Sequence, residues 1–325
     1  MIHTEYNQMN LEPESMETPH IKPIVERLYD WIEKQVWKCR IVPIDHLADL
    51  REAILDRFEK GLIDKALYKS QLSFFSFESP ADLPDARSII IVALPTPQMR
   101  IFFHYKGKRR PLIVPPTYVS YTPRTESVQS ILASWLKQEG YGISKPRLPL
   151  KTLAVCSGLA SYGRNNICYV PGMGSFLQLV GAFSDLSCDL DPWSEPKELD
   201  RCNTCVACLR KCPTGAIPED RFLLHAERCL TYHNESVLDF PDWIDHSWHQ
   251  CLFGCMGCQT VCPENRAVLN LYEDRGDFSE QETNLLLRYV SFDQLPSETS
   301  IKLQNLEINE DYRLFCRNLS MIIGS

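Results

Sequence analysis

Chemistry in this chain is concentrated in its cysteines. The stretch Cys202 to Ile217, CNTCVACLRKCPTGAI, sets Cys202, Cys205, Cys208 and Cys212 at the CxxCxxCxxxCP spacing. In such a run the first three thiolates wrap one face of a [4Fe–4S] cubane, and the fourth turns away to ligate a second cluster. An imperfect echo, CLFGCMGCQTVCPEN from Cys251 to Asn265, contributes Cys255, Cys258 and Cys262. By the same crossing, Cys262 completes the cluster of Cys202, Cys205 and Cys208, and Cys212 joins Cys255 and Cys258. One ligand position stays open. A regular echo would fill it from Leu252; Cys251, one step off, and Cys229, in ERCLTYHNE, are both eligible on spacing. Zinc is the competing use of such cysteines, but it prefers paired CxxC units with longer gaps, often mixed with histidine. Cys39, Cys156, Cys168, Cys188 and Cys316 lie outside both runs and read as free structural thiols.

The rest of the chain must hold these clusters and give them something to reduce. At 325 residues it exceeds what one compact core usually spans, so two domains are expected. Hydrophobic content of 44% and charged content of 23% are those of an ordinary globular protein. A formal net charge of −8 argues against a large nucleic-acid surface, which would need phosphate-neutralising cations. No apolar run approaches the roughly 20 residues of a membrane span. The N-terminal stretch lacks the basic and apolar regions of a secretory signal. A cytoplasmic location is therefore expected, where clustered cysteines bind metal rather than pair.

Residues 1–20 read as a disordered polar tail. Residues 21–80 read as helical: IVERLYDWIEKQVW puts Ile24, Leu28, Trp31, Ile32 and Val36 on one face, and a second helix runs from an Asp45 cap to Gly61. Residues 81–196 mix strands and helices, an α/β cofactor-binding domain in an α+β chain. There RSIIIVALP is a buried strand, IFFHYKGKRRPLIVPP a hairpin turning at Lys106-Gly107-Lys108, and TESVQSILASWLKQEG a helix stopped by Gly140. LPLKTLAVC is a shorter helix, and NICYVPGMGSFLQLVGAF gives two strands around a Pro-Gly-Met-Gly turn. The charged linker DLDPWSEPKELD leads into the cysteine region, residues 197–270. Residues 271–325 read as a helical tail of two helices, with Ser279 and Glu282 forming a capping box.

A small electron carrier needs far less than the roughly 200 residues that precede Cys202. The densest stretch among them is SGLASYGRNNICYVPGMGSFLQL, where Gly158, Gly163, Gly172 and Gly174 permit close approach of a ligand. Tyr162, Arg164, Asn165 and Asn166 add polar groups. A glycine-rich turn is the plainer reading, and no phosphate-cradling GxGxxG or P-loop is present.

Taken together, SGLASYGRNNICYVPGMGSFLQLVGAFSD, CNTCVACLRKCPTGAI, ERCLTYHNE and FGCMGCQTVCPEN resemble the cobalamin-dependent epoxyqueuosine reductases and, more distantly, the reductive dehalogenases. The resemblance spans roughly Asp82 to Asn265. It implies a nitroreductase-like α/β domain followed by a two-cluster, bacterial-ferredoxin-like domain. Base-off cobalamin would sit beside two [4Fe–4S] clusters that reduce its cobalt to a nucleophilic low-valent state. It also implies that Cys229 fills the open position. The second cluster would then use Cys212, Cys229, Cys255 and Cys258, with Cys251 a bystander. Tyr162, Gly163, Arg164, Asn165 and Ser175 would be the cofactor contacts.

Several features depart from that family. Its general acid lies in a DTAP-like stretch; here the segment reads RLPLKTLAVC, with Lys151 and no carboxylate from Lys145 to Asn166. No catalytic residue is therefore assigned. About 60 residues follow Pro263, short for the helical-repeat tRNA-binding module of many members. With the acidic balance, tRNA is not an expected partner. The twin-arginine export signal usual in the dehalogenases is absent. KGKRR reads as a solvated hairpin tip, Tyr118, Tyr121 and Tyr232 as core tyrosines, and DWIDHSWHQC, with His246 and His249, as a surface loop.

The resulting expectation is a cytoplasmic iron–sulfur oxidoreductase. Reduced ferredoxin or flavodoxin would feed two [4Fe–4S] clusters, which would reduce cobalamin or another acceptor, with a substrate other than epoxyqueuosine. One alternative is an activating protein that reduces a partner, such as a small-molecule or protein-bound corrinoid. Another is a genuine epoxyqueuosine reductase acting on tRNA through a different proton donor.

Overall fold

The computed structural model describes residues 22–220, 222–308 and 310–324, so the tail expected over residues 1–20 lies outside it. Along the first half run α1 (Ile24–Lys34), β1 (Lys38–Pro43), α2 (Leu47–Glu59), the one-turn α3 (Lys65–Leu67) and β2 (Ser88–Pro95). The hairpin β3 (Gln98–Tyr105) and β4 (Lys108–Val114) follows, then α4 (Tyr121–Gln138), β5 (Ile143–Ser144) and α5 (Leu150–Cys156). Three strands close this half: β6 (Ser161–Tyr162), β7 (Cys168–Tyr169) and β8 (Leu177–Ser184). The cysteine region holds only short helices, α6 (Ala207–Lys211), α7 (Leu230–Asn234) and α8 (Gly257–Thr260). The chain finishes with β9 (Tyr272–Phe278), α9 (Glu280–Leu287), α10 (Ser297–Asn305) and α11 (Tyr312–Ile323).

The apolar run of β2 is the spine of the main sheet, whose order is β1-β2-β8-β5 with antiparallel pairs throughout. Side chains alternate along a strand, so an unbroken β-branched run serves two cores. Ile89, Ile91 and Ala93 pack with Leu47 and Leu50 of α2 and Leu153 of α5. Ile90, Val92 and Leu94 pack on the other face with Leu28 and Ile32 of α1 and Leu132 of α4. The result is an α/β/α sandwich, in which each fully buried Ile or Leu is worth about 2 kcal/mol over its exposed state.

The segment expected to be helical throughout contains an edge strand, β1. Its Ile41 and Val42 point into opposite cores, a demand that only the pairing with β2 reveals. Val36 was expected on the apolar face of α1, but the helix ends at Lys34 and Val36 turns out at φ 63 with 73% exposure.

The tail expected to be helical opens with a strand as well. β9 pairs parallel with β3 in a second sheet of order β4-β3-β9. Its sequence, YEDRGDF, lacks apolar alternation. Cross-strand charge holds it instead: both Asp274 oxygens accept from Arg100, at 2.6 and 2.9 Å, and Asp277 accepts from Arg109 at 3.0 Å. Three helices, rather than two, then cover this sheet. Phe103 of β3, Phe278 of β9 and Phe315 of α11 meet in its core, with the first two rings stacked 5.1 Å apart. The Ser279–Glu282 capping box forms at the start of α9. Among the described residues, no helix is long and apolar enough to cross a membrane.

Candidate metal centres

The cysteines sit on tight turns and helices of four or five residues, since each ligand triplet must wrap around one point rather than run along an element. Cys202, Cys205, Cys208 and Cys262 line one cavity, together with Gly163, Arg164, Asn165 and Tyr169. Cys262 therefore lies beside the first run, where the crossing of ligands expects it. Arg164 braces this set: its backbone N–H donates to Cys202 Sγ at 3.4 Å, and its Nη2 donates to the Cys202 carbonyl at 2.7 Å. Burial raises the Cys202 and Cys208 thiols, and the neighbouring thiolates add to the rise.

The second set is tied together electrostatically. Burial pushes the Cys255 thiol up to about 11, with Cys229 and Cys212 adding to it. Burial likewise raises Cys229, against hydrogen bonds from Thr231, and Cys212 raises it further. Cys258 is raised by burial, then by Cys255 and Cys229. Gly257 N–H donates to Cys255 Sγ at 3.4 Å. Cys251 differs. It is 1% exposed and packs with Phe176, Met256 and Val268. Its backbone bridges to Ile113 of β4.

Thiolates buried without a cation are unfavourable, and ligation to iron reverses that penalty by deprotonating the thiol outright. The all-sulfur donor set suits iron–sulfur or zinc. Among the described residues, no three His, Cys, Asp or Glu side chains close on a point that one ion would fill. Cys202, Cys205, Cys208 and Cys262 instead line one cavity, as the four ligands of a four-iron cubane would.

Of the five expected contacts of a further cofactor, Tyr162, Asn165 and Ser175 are buried and hydrogen-bonded within the protein. Gly163, Arg164 and Asn165 face the first cysteine set. The Tyr162 hydroxyl lies 3.1 Å from Thr152 Oγ1, and Tyr162 is buried against Phe222. Ser175 Oγ donates to Gln259 Oε1 at 2.8 Å and accepts from Asn265 Nδ2 at 2.8 Å. These hydroxyls and the Asn165 amide are already spent inside the protein. As side-chain contacts to cobalamin, the set does not fit.

Two features were not visible from sequence spacing. Tyr118 donates a hydrogen bond to Glu235 across 117 residues. Its ring lies so close to Gly254 that a Cβ there would come within 2.8 Å of it. Burial raises the Glu235 carboxyl, against the pull of the Tyr118 hydroxyl and the Lys151 ammonium, although the residue still meets solvent. The quoted ERCLTYHNE contained Glu235, but nothing local links it to Tyr118. Tyr118 is thus half-buried and paired, and Tyr121 is 43% exposed rather than in the core. The second feature is His249. The loop around it was expected at the surface, yet His249 is 6% exposed with neither ring nitrogen hydrogen-bonded, its ring packed on Phe240.

Comparison with known proteins agrees with this picture. Residues 201–265 match the family model described as a 4Fe-4S double cluster binding domain. An epoxyqueuosine reductase from Cyclobacterium marinum is 35% identical over 114 residues, 35% of this chain and 36% of that protein. The Bacillus subtilis epoxyqueuosine reductase is 26% identical over 230 residues, 65% of this chain and 58% of that one. The chain thus spans between about a third and three fifths of these relatives' length. The solved epoxyqueuosine reductase from Streptococcus thermophilus superposes with a TM-score of 0.66 at 16% identity, covering 92% of this chain and 80% of its own. In sequence and in fold the chain resembles the epoxyqueuosine reductases, with an α/β/α layer followed by a segment, residues 201–265, that matches a 4Fe-4S double cluster binding domain.

Proposed function

We propose that this chain is a reductase with two [4Fe–4S] clusters, one on Cys202, Cys205, Cys208 and Cys262 and the other on Cys212, Cys229, Cys255 and Cys258. The observation that carries this reading is the single cavity lined by the first three cysteines of one run and the last of the other. Single electrons from reduced ferredoxin or flavodoxin, in a reducing cytoplasm, pass through the clusters to an acceptor held against the α/β layer. Cobalamin is the acceptor that the resemblance implies. Because the five contact residues do not fit it, no step is drawn through it.

Anaerobic reconstitution with iron and sulfide tests the reading, with about eight iron atoms per chain expected. One or two tightly held metal ions would overturn it in favour of zinc. Titration of the loaded chain with cobalamin then decides the acceptor. Binding at micromolar concentration would retain cobalamin, and its absence would require another acceptor.

A second reading is favoured by Glu235. One solved epoxyqueuosine reductase is described with an epoxyqueuosine-modified tRNA stem loop. This chain lacks a carboxylate in the segment where the family's acid is expected, but the solvent-exposed Glu235 carboxyl, raised by desolvation and hydrogen-bonded by Tyr118, is suited to give a proton. If this chain reduces such a stem loop, Glu235→Gln lowers turnover at least tenfold without loss of iron. Unchanged turnover in that variant would remove Glu235 from the reaction.

A further inference from the structure

The loop that follows α7 holds apolar side chains out in solvent. Val237 is 84% exposed and Leu238 72%, and Trp243 keeps 47% of its surface outside. Single exposed apolar residues are ordinary, but several on one short loop form a patch. The loop is also firmly braced. Arg317 of α11 donates to the carbonyls of Ser236, Leu238 and His233, and its guanidinium lies 4.0 Å from the centre of the Phe240 ring. The Trp243 ring meets His233 edge-on at 5.3 Å. One guanidinium thus gathers the loop from beneath, and the apolar tips stand out as a fixed surface.

Charge and position say what such a surface fits. From Glu235 to Trp248 the chain carries four carboxylates, Glu235, Asp239, Asp242 and Asp245, all exposed, and no basic residue except His246. An apolar centre with an acidic rim is complementary to an apolar face ringed by Lys and Arg. The patch also lies next to a proposed cluster ligand. Trp243 touches His233, the His233 ring meets Tyr232 at 5.4 Å, and Tyr232 N–H donates to the Cys229 carbonyl at 3.0 Å. A chain of contacts therefore joins the exposed indole to a cysteine of the second set.

We propose that this loop is the docking surface for a small one-electron carrier protein whose contact face is apolar with a basic rim, and that electrons enter through the second cluster. The docked carrier gives up one electron and is oxidised by one, and the chain is reduced by one, with no bond broken and no proton moved. The docking surface rests on the two-cluster reading, and its test separates the two.

Cytochrome c, a small and strongly basic one-electron protein, is the probe. Calorimetric titration of its oxidised form into the oxidised, reconstituted chain reads binding alone, since no electron moves. Stopped-flow mixing with the reduced chain then reads transfer, each electron reducing one ferric haem. A neutral water-soluble quinone, which needs no docking surface, is the control oxidant. The double variant Val237→Ser, Leu238→Ser weakens binding and slows transfer to cytochrome c by about tenfold, with iron content and the quinone rate unchanged. The double variant Asp239→Asn, Asp242→Asn slows transfer several-fold and flattens its salt dependence, because salt screens the attraction that those charges supply. Cys229→Ala still binds cytochrome c but reduces it several-fold more slowly, and an unchanged rate there would overturn the route. Unchanged binding in the Val237, Leu238 variant, with full iron, overturns the docking surface and leaves the clusters standing. Equal slowing of quinone and cytochrome c overturns it too, since the loop would then act on the cluster and not on a partner. A dimer in sedimentation that Leu238→Ser dissociates would give the patch to a second copy of the chain instead. A wild-type chain that takes up no iron overturns both readings.

Discussion

Cys229 and Cys251 were equally eligible on spacing for the open position of the second cluster, and their surroundings separate them. The Cys229 thiol is raised by the neighbouring Cys212 as well as by burial, so it lies within electrostatic reach of another cysteine of the proposed second set. Cys251 lies among Phe176, Met256 and Val268 and behaves as a small buried apolar side chain. Cys229→Ala is therefore expected to lose about four iron atoms per chain, and Cys251→Ala none. Iron quantitation after reconstitution checks this, and equal loss in the two variants would refute the assignment. The place of Cys262 beside the first run was legible from spacing because ligand crossing is a local rule of the run. The roles of Asn165 and Ser175 were not. Asn165 lines a cavity with Cys202 and Cys262, and Ser175 bonds Gln259 and Asn265; those groups lie about 40 to 100 residues away, and polarity alone cannot say which group a side chain faces.

The elements show the same limit. The run of β2 was readable because it serves two apolar cores, and the hairpin because Lys106 and Gly107, at φ 51 and 69, form its two-residue turn. β1 and β9 escaped notice because each is specified by its neighbour, β1 by β2 and β9 by arginines on β3 and β4. The turn before β8 shows how tightly the layers interlock. Gly174 has φ 57, and a Cβ there would stand 2.4 Å from Asn265 Oδ1, the atom that accepts from Ser175 N–H. Gly174→Ala should destabilise the fold by roughly 2–3 kcal/mol, combining a strained backbone with a displaced buried hydrogen bond. Urea unfolding of the variant measures this, and a loss below about 0.5 kcal/mol would contradict it.

The loop carrying His249 makes stability depend on pH. Burial pushes the imidazole down to about 4, and the positive charges of His246 and Arg317 add to the shift. The folded chain thus favours neutral His249, while the unfolded chain titrates near 6.5. This contribution is complete above pH 6.5 and is lost as pH falls towards 4. His249→Phe keeps a ring against Phe240 and removes the titration. The drop in melting temperature between pH 7 and pH 5 should be smaller in that variant, by the equivalent of up to about 2 kcal/mol. Parallel curves for both proteins would show that protonation of His249 is tolerated.

At the scale of the whole molecule, the segment after the cysteines clamps the loops that carry the proposed second cluster's ligands. Arg317 of α11 donates to the carbonyls of Ser236 at 2.6 Å and His233 at 2.9 Å. Beside it, Asn318 Nδ2 donates to Asn234 O at 2.9 Å and Leu252 O at 2.8 Å, and Asn318 is fully buried. One helix thereby holds the loop after Cys229 and the loop before Cys255, which carry ligands of the same proposed cluster. No comparable link from α11 reaches Cys202, Cys205 or Cys208 in the hydrogen bonds of the described residues. Asn318→Ala leaves the buried Leu252 carbonyl without its donor and the Asn234 carbonyl with only the 3.4 Å bond from Arg317, at a cost of about 1–3 kcal/mol. If that cost falls on the clamp, a chelator should strip iron from the variant in two phases. About half the iron would leave several-fold faster than from the wild type, and the rest at the wild-type rate. A uniform acceleration of all the iron would mean that α11 supports the fold as a whole rather than the second cluster.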